Sequence, residues 1–170
     1  MGDEIRNVRL GPSCRLVDPA PCLSILEERF GMDPAWFTER YHFFAGGRKY
    51  IYRLARGHSI PPGPEILFSG IKFMRVAMEV PKLTTEAAVA FGFLATRNWI
   101  SLDASDAGRY FAREDINLDP SAAAACTGPG YVLMRTGPVT VGTGYLHTDD
   151  GACRVRSWFP KHWSEVVGIR

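Results

Sequence analysis

The chain has 170 residues, of which 46% are hydrophobic and 22% charged, and its formal net charge is +2. This composition is that of a folded protein, and no run of about 18 apolar residues is present, so we expect neither a disordered chain nor a membrane-spanning helix. The four cysteines are scattered and the first residues lack the apolar stretch of a secretory signal, which together favour a reduced, cytoplasmic location.

Basic and aromatic residues are concentrated in one stretch. Residues 29–58 hold six Lys or Arg against two Asp or Glu, interleaved with aromatic side chains. This mixture is typical of nucleic-acid-binding surfaces, because cations contact phosphates and rings stack on bases. The same pattern also fits an aromatic core with a solvated rim of arginines, and the sequence leaves both interpretations open.

The first predicted elements are an arm and two short helices. Residues 1–19 lack periodicity and predict a loose arm with room for one strand. Apolar residues at helical spacing predict a helix over residues 22–31, which ends at a glycine. Asp33 is a helix N-cap followed by proline, so a second helix is predicted from there to about Tyr41.

The next elements are predicted from turn formers and strand formers. The glycine pair at 46–47 predicts a turn, and residues 49–54 predict a strand because aromatic and β-branched residues are enriched there. The proline-rich residues 59–64 predict a loop.

Residues 71–76 alternate apolar with basic side chains and predict a strand with one wet face. Strict period two places Lys72 and Arg75 on opposite faces, so we expect only one of them to point cleanly into solvent. Thr84 then predicts the N-cap of an alanine-rich helix over residues 86–95.

A second unit is predicted from Asp103, the N-cap of a helix that carries Arg109 and Arg113 four residues apart on one face. Beyond it, glycine-rich turns separate strand-like segments, and a glycine-broken hairpin favours a small antiparallel barrel. We therefore expect an α+β protein in which a helix-and-strand subdomain (residues 1–102) packs on a small β-barrel (residues 103–170).

Five short segments carry a resemblance to a known family: GIKFMR (70–75), RYFARE (109–114), GYVLM (130–134), VGTGY (141–145) and RSWFPK (156–161). In this order they resemble the C-terminal region of RsmF-type (Sun-family) RNA cytosine-5 methyltransferases, over about residues 35–163. The resemblance implies that the barrel is a PUA-like RNA-binding domain, preceded by the subdomain that adjoins it in that family.

The resemblance implies non-catalytic binding of structured RNA such as rRNA or tRNA, linked to RNA modification or ribosome biogenesis. We expect phosphate contacts from basic residues and base stacking by Tyr145 or Trp158, with barrel core as the alternative role of Trp158. The basic candidates are Arg48, Lys72, Arg75, Arg109, Arg113, Arg154, Arg156 and Lys161.

No catalytic apparatus is expected. Residues 18–22 (DPAPC) are similar to the motif that carries a catalytic cysteine in these methyltransferases, but the methyl-donor domain has no counterpart, so we expect no catalytic role for Cys22. Cysteine and histidine spacings do not fit a metal site, and no cofactor is expected. The alternative function is a protein-interaction module or accessory subunit that docks on a separate RNA methyltransferase.

Overall fold

The computed structural model describes residues 14–57, 70–149 and 152–166, which form two compact units. The first unit comprises Met1–Leu26 and Asp33–Lys82, and the second comprises Glu27–Met32 and Leu83–Arg170. The predicted loop 59–64 and most of the predicted arm 1–19 lie outside the described residues. Helices and sheets occur in both units, which confirms the predicted α+β class.

The sheet of the first unit has five strands in sequence order. Neighbouring strands pair antiparallel from the first to the fourth. The strands are β1 (Cys14–Leu16), β2 (Tyr41–Gly46), β3 (Tyr50–Ala55), β4 (Ile71–Arg75) and β5 (Lys82–Leu83), the last of which ends in the second unit. Helix α2 (Pro34–Thr38) belongs to the first unit, and helix α1 (Ala20–Phe30) begins in the first unit and ends in the second.

Helix α2 begins where it was predicted and ends earlier. The Asp33 carboxylate accepts a hydrogen bond from the Ala35 amide at 2.8 Å, with Pro34 in the first turn. The helix stops at Thr38 because Tyr41 opens β2, a strand that the sequence did not predict. One face of the sheet is buried by edge-to-face aromatic pairs, with Phe73 at 5.5 Å from Phe37 and 5.1 Å from Phe43.

The second unit contains a curled, half-barrel sheet in the order β6-β8-β9-β10-β7. β6 runs parallel to β8, and the other pairs are antiparallel. The strands are β6 (Trp99–Ser101), β7 (Ile116–Leu118), β8 (Gly130–Thr136), β9 (Val139–Asp149) and β10 (Ala152–Ser157), and the helices are α3 (Thr85–Phe91), α4 (Ala104–Phe111) and α5 (Lys161–Val166).

The interior of this sheet is closed by α4. Tyr110 is fully buried, and its hydroxyl donates to the Thr143 carbonyl at 3.1 Å. The Ser157 hydroxyl donates to the Tyr110 carbonyl at 2.8 Å, so the helix is tied to two strands. These bonds satisfy polar groups that burial would otherwise leave without partners.

The boundary between the units differs from the predicted one. Residues 83–102 were expected in the first unit, but they belong to the second. The physical reason is strand pairing, because Trp99–Ser101 adds to the second sheet beside β8, and Thr85 lies close to Gly142 of β9. None of the helices in the described part of the chain has the length and apolar character that a membrane span requires.

Candidate nucleic-acid interface

A β-bulge between β3 and β4 brings two predicted site residues together. Arg75 lies opposite Tyr50 and Lys72 lies opposite Tyr52, with a register shift between Ile51 and Tyr52. Residues two apart on a strand share a face, as do directly opposite residues, so all four side chains lie on one face of the sheet. The expectation that Lys72 and Arg75 point to opposite faces is therefore wrong, while the expectation that only one of them is fully exposed is confirmed, since Lys72 is exposed and Arg75 is half-buried.

The extra residue of the bulge is Phe73, which is fully buried together with Met74. Two consecutive buried residues reset the alternation, and the basic residues on either side then point the same way. Bulges often re-aim side chains in this manner beside functional sites. We call the four residues brought together here, Tyr50, Tyr52, Lys72 and Arg75, the β3–β4 face.

The side chains of the β3–β4 face contact one another. The Lys72 ammonium lies 5.0 Å from the centre of the Tyr50 ring, within the range of a cation–π interaction. The rings of Tyr50 and Tyr52 are 6.4 Å apart and inclined by 70°. The Tyr52 ring covers Gly46 on β2, where a Cβ atom would lie 2.3 Å from the ring.

The surroundings of the β3–β4 face are strongly basic. Residues 41–57 and 70–78 contain six Lys or Arg and no Asp or Glu. Arg48 is exposed in the turn before Tyr50 and forms no ion pair within the described residues. The Nε atom of Arg75 is buried without a hydrogen-bond partner in the same part of the structure.

Two titratable groups that lie near cations of this unit have lowered pKa values. Burial and the nearby charge of Arg75 lower the pKa of Lys82 to about 8. Burial and the charge of Arg56 likewise lower the pKa of His42, which lies opposite Leu54 on the same side of the sheet as Tyr52. Burial is the larger cause of both shifts, and the neighbouring arginines add to it because a positive charge disfavours protonation nearby.

Arg109 and Arg113 of the second unit do not share a helical face, contrary to the prediction. Helix α4 ends at Phe111, and Arg113 lies beyond it in the left-handed region with a φ of 66°. Arg109 is held by acidic neighbours: its guanidinium lies 3.6 Å from Asp106 and 3.4 Å from Glu114. The positive charge of Arg109 is therefore largely compensated.

The other basic candidates of the second unit also lie beside carboxylates, with one exception. Arg154 is 3.3 Å from Asp115, and Lys161 is 3.8 Å from Glu165. Arg156 is exposed on β10 and forms no ion pair among the residues that the structure describes. It lies opposite Tyr145, so a cation and a ring share that face of the sheet.

The two stacking candidates are engaged by other rings. Tyr145 is half-buried between Tyr131, at 5.1 Å, and His147, at 4.9 Å. Trp158 is half-buried against Tyr131 at 6.2 Å. Both rings thus contribute to packing, and the core role left open for Trp158 is in part observed.

The sequence did not single out Tyr50 and Tyr52 as site residues. Both lie among the aromatic residues of the basic stretch over residues 29–58. Tyr50 and Tyr52 are two residues apart on a predicted strand, so their side chains lie on the same face. This alternation of side chains along a strand is the feature of the sequence that indicates them. Their proximity to Lys72 and Arg75 depends on the bulge, which has no clear mark in the sequence.

Two of the cysteines, Cys22 and Cys126, lie in surroundings that suppress thiolate chemistry. Cys22 is buried, and burial raises its pKa. Burial also raises the pKa of Cys126, whose thiol lies 3.8 Å from the Trp99 carbonyl oxygen. A raised pKa keeps a thiol protonated and therefore weakly nucleophilic. Within the described ranges, no cluster of three or more His, Cys, Asp or Glu side chains is arranged to hold a metal ion.

Comparisons with known proteins do not extend this description. A scan against protein-family models finds no match, and a search of curated proteins finds none.

Proposed function

We propose that this chain binds structured RNA, such as rRNA or tRNA, without acting on its covalent bonds. The observation that carries the proposal is the β3–β4 face, where a bulge aligns Lys72 and Arg75 beside two tyrosines. The strands β2, β3 and β4 contain no Asp or Glu. Phosphate contacts from cations and stacking on aromatic rings are the two interactions that RNA-binding surfaces combine.

The fold of the second unit also supports the proposal. A curled sheet with the long β8–β9 hairpin, closed by α4, is compatible with the PUA-like barrel that the sequence resemblance implies. In this proposal Arg113 and Arg156 add phosphate contacts, since neither forms an ion pair in the described part of the chain. The proposed setting is the cytoplasm, in RNA modification or ribosome biogenesis.

An electrophoretic titration with total RNA tests the proposal. Each phosphate neutralised by the protein releases counterions, so we expect binding at about 50 mM salt that weakens steeply as salt is raised. Lys72→Gln and Arg75→Gln should each lower the affinity about three- to tenfold and reduce the salt slope by about one.

The matched control is Arg40→Gln, which removes the same charge from the same unit. Arg40 is exposed, lies 3.1 Å from Glu39 and is not part of the β3–β4 face. We expect this variant to bind RNA as the unaltered chain does. Absence of RNA binding at about 50 mM salt, or equal losses in all three variants, would contradict the proposal.

A second candidate is the protein-interaction module or accessory subunit for an RNA methyltransferase. It is favoured by Val89 and Phe93, which are four residues apart and expose 45% and 64% of their surfaces. Exposed apolar side chains are what a docking surface buries when a partner binds. Phe93→Ser separates the two functions, since RNA binding at the β3–β4 face should not depend on this side chain.

A further inference from the structure

We infer that Cys126 and Cys153 form a redox-sensitive pair, which a peroxide joins into a disulfide bond within the folded second unit. Both are free, half-buried cysteines, and both pack against the same hydrophobic core although they lie far apart in the sequence. The inference goes beyond the proposed function and does not depend on RNA binding.

Cys153 reaches this core from β10. It lies two residues before the fully buried Val155, and residues two apart on a strand share a face, so its side chain is directed to the interior of the curled sheet. Leu118 of β7 lies directly opposite Cys153, and both side chains pack against the core that contains Val155. The Cys153 thiol therefore lies on the inner face of the sheet, beside its edge strand β7.

Cys126 reaches the same core from the segment that follows β7. This segment begins with the 3₁₀ helix Pro120–Ala123, which lies against β10 and against both edge strands of the sheet, β6 and β7. The Cys126 amide donates to the Ala123 carbonyl at 2.8 Å, and the Cys126 thiol lies 3.8 Å from the Trp99 carbonyl oxygen on β6. The segment thus crosses the open side of the half-barrel and places Cys126 among the core side chains.

The charges around Cys126 agree with a neighbouring sulfur. Burial raises the pKa of Cys126, the Arg29 guanidinium lowers it, and the negative charge of a Cys153 thiolate raises it again. Such an effect requires that the two charges lie close together, because the interaction between charges weakens with distance. Arg29 is fixed beside this pair by hydrogen bonds to the carbonyls of Tyr131 and Gly128, and a cation there stabilises a thiolate while it reacts.

Two thiols and one hydrogen peroxide give one disulfide and two waters. In the first step the Cys153 thiolate attacks a peroxide oxygen, the O–O bond breaks, and the hydroxide that leaves takes up the thiol proton as water, so that Cys153 becomes a sulfenic acid. In the second step the Cys126 sulfur attacks the sulfenic sulfur, the S–S bond forms, and the hydroxide leaves with the Cys126 proton as water. The first step is assigned to Cys153 because burial keeps Cys126 protonated.

Peptide mass spectrometry of the folded chain, treated with hydrogen peroxide and then alkylated without reduction, tests the inference. We expect one cross-linked peptide pair that contains Cys126 and Cys153, a loss of two hydrogen atoms from the intact mass, and reversal by a dithiol reductant. Cys126→Ser should leave Cys153 as a sulfenic acid that dimedone labels. Cys22→Ser is the matched control, since Cys22 is buried in the first unit, and it should form the bond as the unaltered chain does.

The same treatment in urea shows whether the fold directs the pairing. The unfolded chain should pair its cysteines with little preference, whereas the folded chain should give the Cys126–Cys153 bond alone. Full alkylation of both thiols after peroxide, or the same mixture of pairs with and without urea, overturns the inference. The oxidised chain should also unfold at a higher urea concentration than the reduced chain, because the bond restricts the unfolded state. An oxidised chain that unfolds at a lower concentration overturns the placement of the two sulfurs as neighbours.

Discussion

Arg113 shows how a single residue combines a structural cost with a candidate binding role. Its amide donates to the Tyr110 carbonyl and the Glu114 amide donates to the Arg109 carbonyl, which together end helix α4 in a Schellman motif. The motif requires a left-handed residue, and glycine is preferred there because it has no Cβ. The arginine side chain therefore stands at a strained position.

Replacement of Arg113 by glycine should raise the free energy of unfolding by about 0.5–1 kcal/mol, because relief of strain exceeds the entropy cost of glycine in the unfolded chain. Urea unfolding measures the change. Arg113→Ala is the control, since it removes the same charge and keeps the strain, and it should bring no gain. A glycine variant no more stable than the alanine variant would show that the strain is absent.

At the scale of the element, β4 illustrates what the sequence does and does not encode. Alternation correctly predicted a strand over residues 71–76, and Asp33, Thr84 and Asp103 correctly marked three helix N-caps. Strict alternation failed at Phe73, because a bulge is fixed by pairing with β3 and by aromatic packing on Phe37 and Phe43. The site depends on this bulge, so its geometry was not predictable from one strand alone.

Gly70, which precedes β4, should tolerate no side chain. It has a φ of 85°, and a Cβ would lie 2.0 Å from the Arg53 carbonyl oxygen on β3. Gly70→Ala should therefore lower the free energy of unfolding by about 1–2 kcal/mol for backbone strain and a further 1–3 kcal/mol for the steric clash. Thermal and urea unfolding measure the loss.

Gly47 provides the comparison for Gly70. Its φ of 66° imposes the same kind of strain, but nothing lies within 4 Å of a Cβ there. Gly47→Ala should therefore lower the free energy of unfolding only by the backbone strain, which is about 1–2 kcal/mol. Equal losses in the two variants would mean that β3 and β4 are not packed as closely as the structure has them.

At the scale of the whole molecule, charge is distributed unevenly between the two units. In the second unit, Arg109, Arg154 and Lys161 lie beside carboxylates. The charged residues within β2, β3 and β4 of the first unit are all Lys or Arg. The basic stretch over residues 29–58 was visible in the sequence, and much of it forms β2 and β3. Salt-bridge partners distant in sequence, such as Asp115 for Arg154, could not be predicted because they depend on the pairing of β7 with β10.

The organisation into units was predicted in outline and misplaced in detail. The sequence predicts the hairpin of β8 and β9 because glycine-rich turns separate its strand-like segments. The structure has the hairpin at the predicted position. The parallel pairing of the three-residue β6 with β8 joins segments about thirty residues apart. Because so short a strand has no pattern of its own, the sequence predicts the boundary at residue 102, whereas the structure has it at residue 82.

The most direct test of RNA binding at the β3–β4 face is a map of amide chemical shifts on the isotope-labelled chain as RNA is added. We expect the largest shifts in residues 46–54 and 71–76 at low salt, and we expect these shifts to fade as salt screens the phosphates. Shifts confined to residues 145–156, with β3 and β4 unchanged at saturating RNA, would contradict this prediction.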